Sequence, residues 1–157
     1  MKKNNGFIFY GAVAIFSIVF LAAAISINRG AYAGTVNEPI VWTIGICIFG
    51  LAAFELYKRT FEKRHAVSSA VLCAVSVIFL FIIFPSYSYE DGAEAVLEYT
   101  GEDNSTLMSL DMQSFKANEQ PSMFVTRYYI YGVETAEDEQ FYLVNPADGE
   151  TVLLETE

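Results

Sequence analysis

The residue types that carry nucleophilic and metal chemistry are scarce in this chain of 157 residues. The single histidine, His65, follows two basic residues, and the two cysteines, Cys47 and Cys73, lie within long apolar runs. The C-terminal third contains neither residue type, which excludes a Ser-His or Cys-His nucleophile and a His-bearing zinc site there. We therefore expect a protein that is not an enzyme, with no catalytic residue, metal site or cofactor, and we interpret His65 as an interfacial anchor.

Glu55 is the only acid near the interior of an apolar run. A carboxylate within a membrane is a natural ligand for a proton or a cation. Arg59 follows four residues later, which is the helical spacing of an ion pair. We predict an interfacial ion pair between Glu55 and Arg59, and a transport role for Glu55 remains the alternative.

Acidic side chains dominate the C-terminal half of the chain. Residues 85–157 contain sixteen acids against Lys116 and Arg127, whereas residues 1–84 contain seven Lys or Arg against three acids. Carboxylate pairs therefore arise by chance, and Glu102-Asp103-Asn104 lacks the spacing and the glycine of an EF-hand loop. This charge predicts solubility and excludes nucleic acid as a partner, while weak cation binding and carboxylate-only catalysis are lesser alternatives.

Three apolar runs hold most of the hydrophobic residues of the N-terminal half. They cover about residues 7–27, 40–56 and 66–84, and their only charge is Glu55. About 20 apolar residues span a bilayer as a helix, and these runs are apolar on all sides. We therefore predict a membrane all-α anchor with three transmembrane helices over residues 1–84, with the lipid bilayer as a partner.

Charges in the connections predict the orientation of these helices. Lys2 and Lys3 precede the first run, and the connection 57–65 carries four Lys or Arg, whereas the connection 28–39 carries only Arg29. Positive charge is retained on the cytoplasmic side of a membrane. We predict a multi-pass protein of the cell membrane with a cytoplasmic N-terminus and an extracytoplasmic C-terminal domain.

The N-terminal region also imitates a signal peptide. Two lysines and an apolar stretch precede Ala31-Tyr32-Ala33, which has the small-residue pattern of a cleavage site. The stretch is longer than the apolar region of a usual signal peptide, and Arg29 lies between it and the cut. Cleavage of residues 1–33 is therefore the alternative to a retained first helix.

The C-terminal residues are patterned too regularly for a disordered tail. A juxtamembrane linker, residues 85–89, precedes a predicted short helix over Asp91–Tyr99 that ends before Gly101. Four segments have strand patterns: Thr106–Met112, Met123–Val133, Phe141–Val144 and Thr151–Leu154. We predict that residues 90–157 form a small extracytoplasmic α+β domain with an antiparallel sheet.

Several features of the C-terminal 68 residues follow one another in an informative order. They are the helix with Glu94-Ala95-Val96, the segment Tyr128–Val133, an acidic turn, the segment Phe141–Val144 and the hairpin sequence Asp148–Leu153. This order resembles a PepSY-type domain. PepSY-like domains are associated with regulating or inhibiting extracytoplasmic peptidases, so the resemblance implies a regulatory domain without catalytic residues of its own.

These patterns together predict a membrane-anchored interaction or regulatory protein. Its outer domain is expected to bind or modulate an extracytoplasmic or membrane protein, such as a peptidase. Tyr128, Tyr129 and Tyr131 are the candidate partner surface, because tyrosine is enriched at binding interfaces. Packing of these tyrosines against the predicted helix is the competing interpretation. The alternative function is that of a small accessory subunit of a membrane transport or channel complex.

Overall fold

The computed structural model describes residues 3–59, 61–101, 106–116, 120–134 and 139–154. Its chain divides into two compact units. The helical unit comprises Met1–Ser26 and Glu38–Ile82, and the sheet unit comprises Ile27–Asn37 and Ile83–Glu157. The connection after the first helix therefore belongs with the C-terminal part of the chain.

Three long apolar helices build the helical unit: α1 (Lys3–Ala31), α2 (Glu38–Lys58) and α3 (Lys63–Ile83). Each is long and apolar enough to cross a membrane, which confirms the prediction of three such helices. Large apolar side chains such as Ile8, Val71 and Phe81 remain exposed on them. Helices that are apolar on all sides are typical of membrane spans.

Small and aromatic side chains fill the centre of the helical unit. The buried cluster consists of Tyr10, Val13, Ile48, Ala52 and Ala66. Gly45 allows α1 and α2 to approach closely, because a β-carbon at this position would lie 2.3 Å from Leu21 Cγ. Close backbone approach at small residues is a common way for apolar helices to pack.

The C-terminal part of the sheet unit begins with helix α4 (Tyr89–Thr100), where the sequence predicts a helix over Asp91–Tyr99. Ser88 caps this helix: its Oγ accepts a hydrogen bond from Asp91 N, and the Asp91 carboxylate accepts one from Ser88 N at 2.9 Å. Gly101 ends the helix with φ 64°, a left-handed conformation that glycine adopts without steric cost.

In the part of the chain that the structure describes, five strands form one antiparallel sheet: β1 (Thr106–Met108), β2 (Ser114–Phe115), β3 (Tyr128–Glu134), β4 (Glu139–Val144) and β5 (Thr151–Leu154). The strand order is β1-β3-β4-β5, and β2 also pairs with β3. The predicted small antiparallel sheet with a helix is therefore confirmed. Two predicted strands are corrected, since Thr106–Met112 ends at Met108 and Met123–Val133 begins at Tyr128.

Residues 35–37, between α1 and α2, account for the late start of β3. Val36 forms an antiparallel bridge with Val125, and Thr126 N donates a hydrogen bond to Thr35 O at 2.9 Å. The chain before β3 is therefore paired with a segment distant in sequence. The sheet unit thus includes a segment outside the predicted domain over residues 90–157.

Two side chains attach this connection to the rest of the sheet unit. Asn28 is buried, and its amide brackets Val36: Oδ1 accepts from Val36 N at 3.0 Å, and Nδ2 donates to Val36 O at 3.4 Å. Ser114 Oγ donates to Ala33 O at 2.9 Å. The last turn of α1 and the following residues are therefore part of the fold of the sheet unit.

The core of the sheet unit lies between α4 and one face of the sheet. It consists of Val96, Tyr129, Tyr131, Val133, Tyr142 and Val144, with Tyr89, Ala93 and Leu107 packed at its border. Alternate residues of β3 and β4 point to this face, as the twofold periodicity of a strand requires.

Candidate functional site

The three tyrosines of the candidate partner surface divide between the two faces of the sheet. Tyr129 and Tyr131 are 0% and 3% exposed beneath α4, whereas Tyr128 is half-buried and lies on the opposite face. The prediction of one accessible tyrosine surface is therefore corrected for Tyr129 and Tyr131. A step of one residue along a strand moves the side chain to the other face, so neighbouring tyrosines cannot share one surface.

The two buried tyrosines hold the segment that leads into α4. Tyr129 Oη donates a hydrogen bond to the Tyr87 carbonyl at 2.9 Å, and Tyr131 Oη donates to the Tyr89 carbonyl. Burial raises the pKa of both phenols well above the ordinary value for tyrosine. Both hydroxyls are therefore neutral donors near pH 7, and they stabilise the packing of α4.

The sheet face opposite α4 is apolar as well. We define the open face as Met108, Leu110, Phe115, Tyr128, Ile130, Phe141, Leu143, Val152 and Leu154. Each of these side chains is half-buried or exposed. The helix described in the sheet unit lies on the other face, so this apolar surface is left uncovered by it. Apolar patches of this kind mark interaction sites.

The middle of the open face is filled more closely than its β4–β5 side. A β-carbon at Gly132 would lie 3.3 Å from Met108 Sδ and from Leu110 Cδ2, so these two side chains lie directly over the glycine. Leu143 pairs with Val152 on the neighbouring strand, and Val152 is 54% exposed. The β4–β5 side is therefore the more accessible part of the face.

β5 is an edge strand of the described sheet, with apolar side chains on both of its faces. Leu153, on the α4 side, is 42% exposed, similar to Val152 on the open face. The turn before β5 is closed by a hydrogen bond from Asn145 N to Glu150 O at 2.9 Å. Asp148 and Glu150 are exposed in this turn, so carboxylates border the apolar edge.

Glu55 has a different partner from the one predicted. Its Oε1 lies 2.9 Å from His65 Nδ1, and the side chain lines a cavity of about 380 Å³ in the helical unit. Arg59 is not an ion-pair partner of Glu55 within the described part of the chain, because α2 ends at Lys58 and Arg59 turns away from helical geometry with φ 53°.

The surroundings of Glu55 are unusual for a carboxylate. The residue is only 7% exposed, and its Oε2 has no hydrogen-bond partner among the described residues. The Tyr10 hydroxyl is buried near Glu55 as well and makes no hydrogen bond of normal length among the described residues, although the Ser69 side chain lies near it. His65 also reaches Glu62, with Nε2 3.9 Å from the Glu62 carboxylate, so it links two acids and does not act only as a basic anchor.

Metal ligands do not assemble in the described residues, where no three His, Cys, Asp or Glu side chains could hold an ion together. Cys47 and Cys73 are free thiols. The acidic segment Glu102-Asp103-Asn104 lies outside the described residues.

Sequence patterns missed both the open face and the pair of Glu55 with His65. The open face had a signal: neighbouring positions such as Tyr142 and Leu143 are both apolar, whereas a sheet with one solvated face alternates apolar and polar residues. The pair had none, because His65 is separated from Glu55 by the end of α2 and by the connection to α3.

Comparison with known proteins yields no family model, no curated protein and no solved structure that matches this chain. Its function is therefore inferred from geometry, charge and chain topology.

Proposed function

We propose that this chain is a membrane-anchored binding protein whose sheet unit holds a partner protein outside the cytoplasm. The observation that carries this proposal is the open face, nine apolar side chains on a sheet surface that α4 leaves uncovered. Their contact with a partner removes apolar area from water. A partner segment that reaches the β5 edge can add main-chain hydrogen bonds as well.

Charge and chain topology support the orientation in the membrane. Four Lys or Arg lie in the connection 57–65 and one in the connection 28–39, and this asymmetry favours a cytoplasmic position for the connection 57–65. In a chain with three spans, the connection after α1 and the residues after α3 lie on the same side, and both belong to the sheet unit. We infer a cytoplasmic N-terminus and an extracytoplasmic sheet unit at the cell membrane.

We also infer that residues 1–33 remain attached. Asn28, before the candidate cleavage site, makes two hydrogen bonds to Val36, which lies after it, and the Ala33 carbonyl itself accepts from Ser114 Oγ. Cleavage after Ala33 would separate Asn28 and the Ala33 carbonyl from their hydrogen-bond partners in the rest of the sheet unit. Retention of α1 keeps the connection paired with the segment before β3.

The negative charge of the sheet unit favours a partner with positively charged residues. Residues 85–157 carry sixteen acids against two basic residues, so the favoured partner surface is an apolar strip bordered by Lys or Arg. A second copy of this chain carries the same negative charge and is therefore repelled. An extracytoplasmic peptidase with such a basic border is the partner class that agrees with the PepSY resemblance.

Val152 and Leu153 provide a matched test of this proposal. They are adjacent, similarly exposed and on opposite faces of β5. A photo-crosslinking amino acid at position 152 of the full chain in intact cells is expected to capture a protein through a segment that combines Lys or Arg with apolar residues. Position 153 is expected to give much less of this adduct, and Leu143→Asp is expected to remove it.

Three outcomes contradict the binding proposal. They are equal adducts from positions 152 and 153, adducts formed only with a second copy of the chain, and adducts formed only with lipid.

The orientation has its own test, a cysteine at the exposed position Met123 in a variant without Cys47 and Cys73. A membrane-impermeant maleimide should label it in intact cells, and labelling only after lysis would overturn the orientation.

One observation favours a second function, that of an accessory subunit of a transport or channel complex. The buried Glu55 has an oxygen without a described partner, beside a cavity, as ion-coupled proteins require of a membrane carboxylate. Glu55→Gln should abolish the activity of such a complex and leave the adduct at position 152 unchanged. Loss of that adduct with unchanged transport would rule out the second function.

A further inference from the structure

Cationic side chains are rare in the sheet unit, and two of the three meet at one cavity. The unit contains Arg29, Lys116 and Arg127 among sixteen acids. Arg29 lies in the last turn of α1, and Arg127 is the residue directly before β3. Both line a cavity of about 320 Å³. The fold thus brings together two guanidinium groups that are distant in sequence, within a unit of strongly negative charge.

The wall between the two arginines is polar. Ser114 is buried, and its Oγ donates to Ala33 O at 2.9 Å and lies 3.5 Å from Arg127 Nη1. Gln113 and Asp111 also belong to the described lining. The described lining residues therefore include two cationic residues and one acidic residue, and Ser114 helps to position Arg127.

We propose that this cavity binds a phosphate group, carried either by a lipid headgroup or by a free anion. The planar guanidinium donates two parallel hydrogen bonds that match phosphate oxygens, which makes arginine the preferred residue for phosphate recognition. Arg29 lies two residues beyond the apolar run that ends at Ile27, at the level where a span meets headgroups. Asp111 competes with the phosphate for the guanidinium groups.

Lys116 supplies a matched control, because it is the remaining cation of the sheet unit and does not line the cavity. The full chain in a maltoside detergent, which contains no phosphate, is titrated with phosphatidylglycerol and separately with inorganic phosphate, and binding is followed by native mass spectrometry. Arg127→Gln should weaken binding about tenfold or more, because it removes hydrogen bonds from a charged group to the phosphate. Lys116→Gln removes the same charge and should leave binding unchanged.

Asp111→Asn gives a readout that a structural role of the arginines does not produce. Removal of the competing carboxylate should tighten phosphate binding, while Arg127→Lys, which keeps the charge and loses the planar fork, should weaken it. Binding of phosphatidylglycerol alone identifies a headgroup site, and binding of inorganic phosphate identifies a site for the free anion. The proposal is overturned if neither probe binds, if Lys116→Gln weakens binding as much as Arg127→Gln, or if Asp111→Asn does not tighten it.

Discussion

The two units of this molecule differ in how the hydroxyls of their buried tyrosines are satisfied. In the sheet unit, the buried Tyr129 and Tyr131 hydroxyls each donate to a backbone carbonyl next to the start of α4. In the helical unit, Tyr10 Oη and Glu55 Oε2 are buried with no hydrogen-bond partner among the described residues. Both units are rich in aromatic and apolar side chains, so the difference lies in how the polar atoms are satisfied.

This difference indicates where each unit can perform chemistry. A buried polar group with a partner fixes one packing arrangement, so the two tyrosines hold α4 on one face of the sheet. An unpartnered buried polar group costs about 1–3 kcal/mol, and a charged group costs more. The helical unit keeps such groups at Glu55 and Tyr10, which makes its interior the place where a proton, a cation or a partner helix would act.

Among the substitutions that test this comparison, removal of the Tyr129 ring is expected to have the largest effect on the free energy of unfolding. Tyr129→Ala should lower the free energy of unfolding of the sheet unit by about 3–5 kcal/mol, because it leaves a cavity beneath α4. Hydrogen exchange of the β3 amides in the full chain measures this loss. Tyr128→Ala, on the open face, is the control and should cost about 1 kcal/mol or less. Equal losses would contradict the assignment of the two faces.

Asn28→Ala tests whether the connection after α1 is part of the sheet unit. The substitution removes both hydrogen bonds to the Val36 backbone, and we expect a loss of about 2–3 kcal/mol from two buried hydrogen bonds. Faster exchange of the Val36 and Thr126 amides would report it. Asn37→Ala removes an exposed amide near the same segment and should change little. Unchanged exchange in Asn28→Ala would limit the sheet unit to its C-terminal part.

A pair of hydroxyl deletions sharpens the comparison directly. Tyr131→Phe leaves the Tyr89 carbonyl without its donor and should cost about 1–2 kcal/mol. Tyr10→Phe removes a hydroxyl that has no described partner and should be neutral or stabilising. Thermal unfolding of both variants in nanodiscs gives the measurement. A larger loss for Tyr10→Phe than for Tyr131→Phe would show that the helical unit depends on its buried hydroxyl.

The smallest expected effect is a dependence of the α4 terminus on pH. Hydrogen bonds from the Ser88 backbone and side chain hold the pKa of Asp91 below its usual range. The folded pKa is therefore lower than the unfolded one, so this stabilisation is present above about pH 4 and is lost as the pH falls through the folded pKa. Amide exchange at the start of α4 should differ between the native chain and Asp91→Asn at pH 6. The difference should vanish in strong acid, and a difference that persists there would contradict this role of Asp91.

Local signals in the sequence were sufficient for several elements of the fold. The apolar runs predicted three helices, Gly101 marked the end of α4, and the hairpin sequence Asp148–Leu153 marked the turn before β5. These features depend on the residues next to them in the chain. The start of β3 was predicted too early. Val125 has a high strand propensity, but it pairs with Val36, and no local pattern connects these two residues.

The candidate sites required more than local patterns. Tyr128, Tyr129 and Tyr131 have the same side chain and differ in role because α4 packs on one face of the sheet. The partner of Glu55 was predicted as Arg59 from helical spacing, but Arg59 leaves helical geometry with φ 53° just beyond the end of α2, and the turn to α3 brings His65 instead. In both cases a second element, remote in sequence, decides which side chains are available.

The sequence by itself determined the division of this protein into an apolar helical part and an acidic sheet part, since hydropathy, charge and turn residues act over short distances along the chain. Only the tertiary structure decided which sheet face is open, which residue holds Glu55, and that Arg29 and Arg127 share one cavity. The physical reason is that burial and charge pairing depend on distances in space, and the fold brings together residues that the chain keeps far apart.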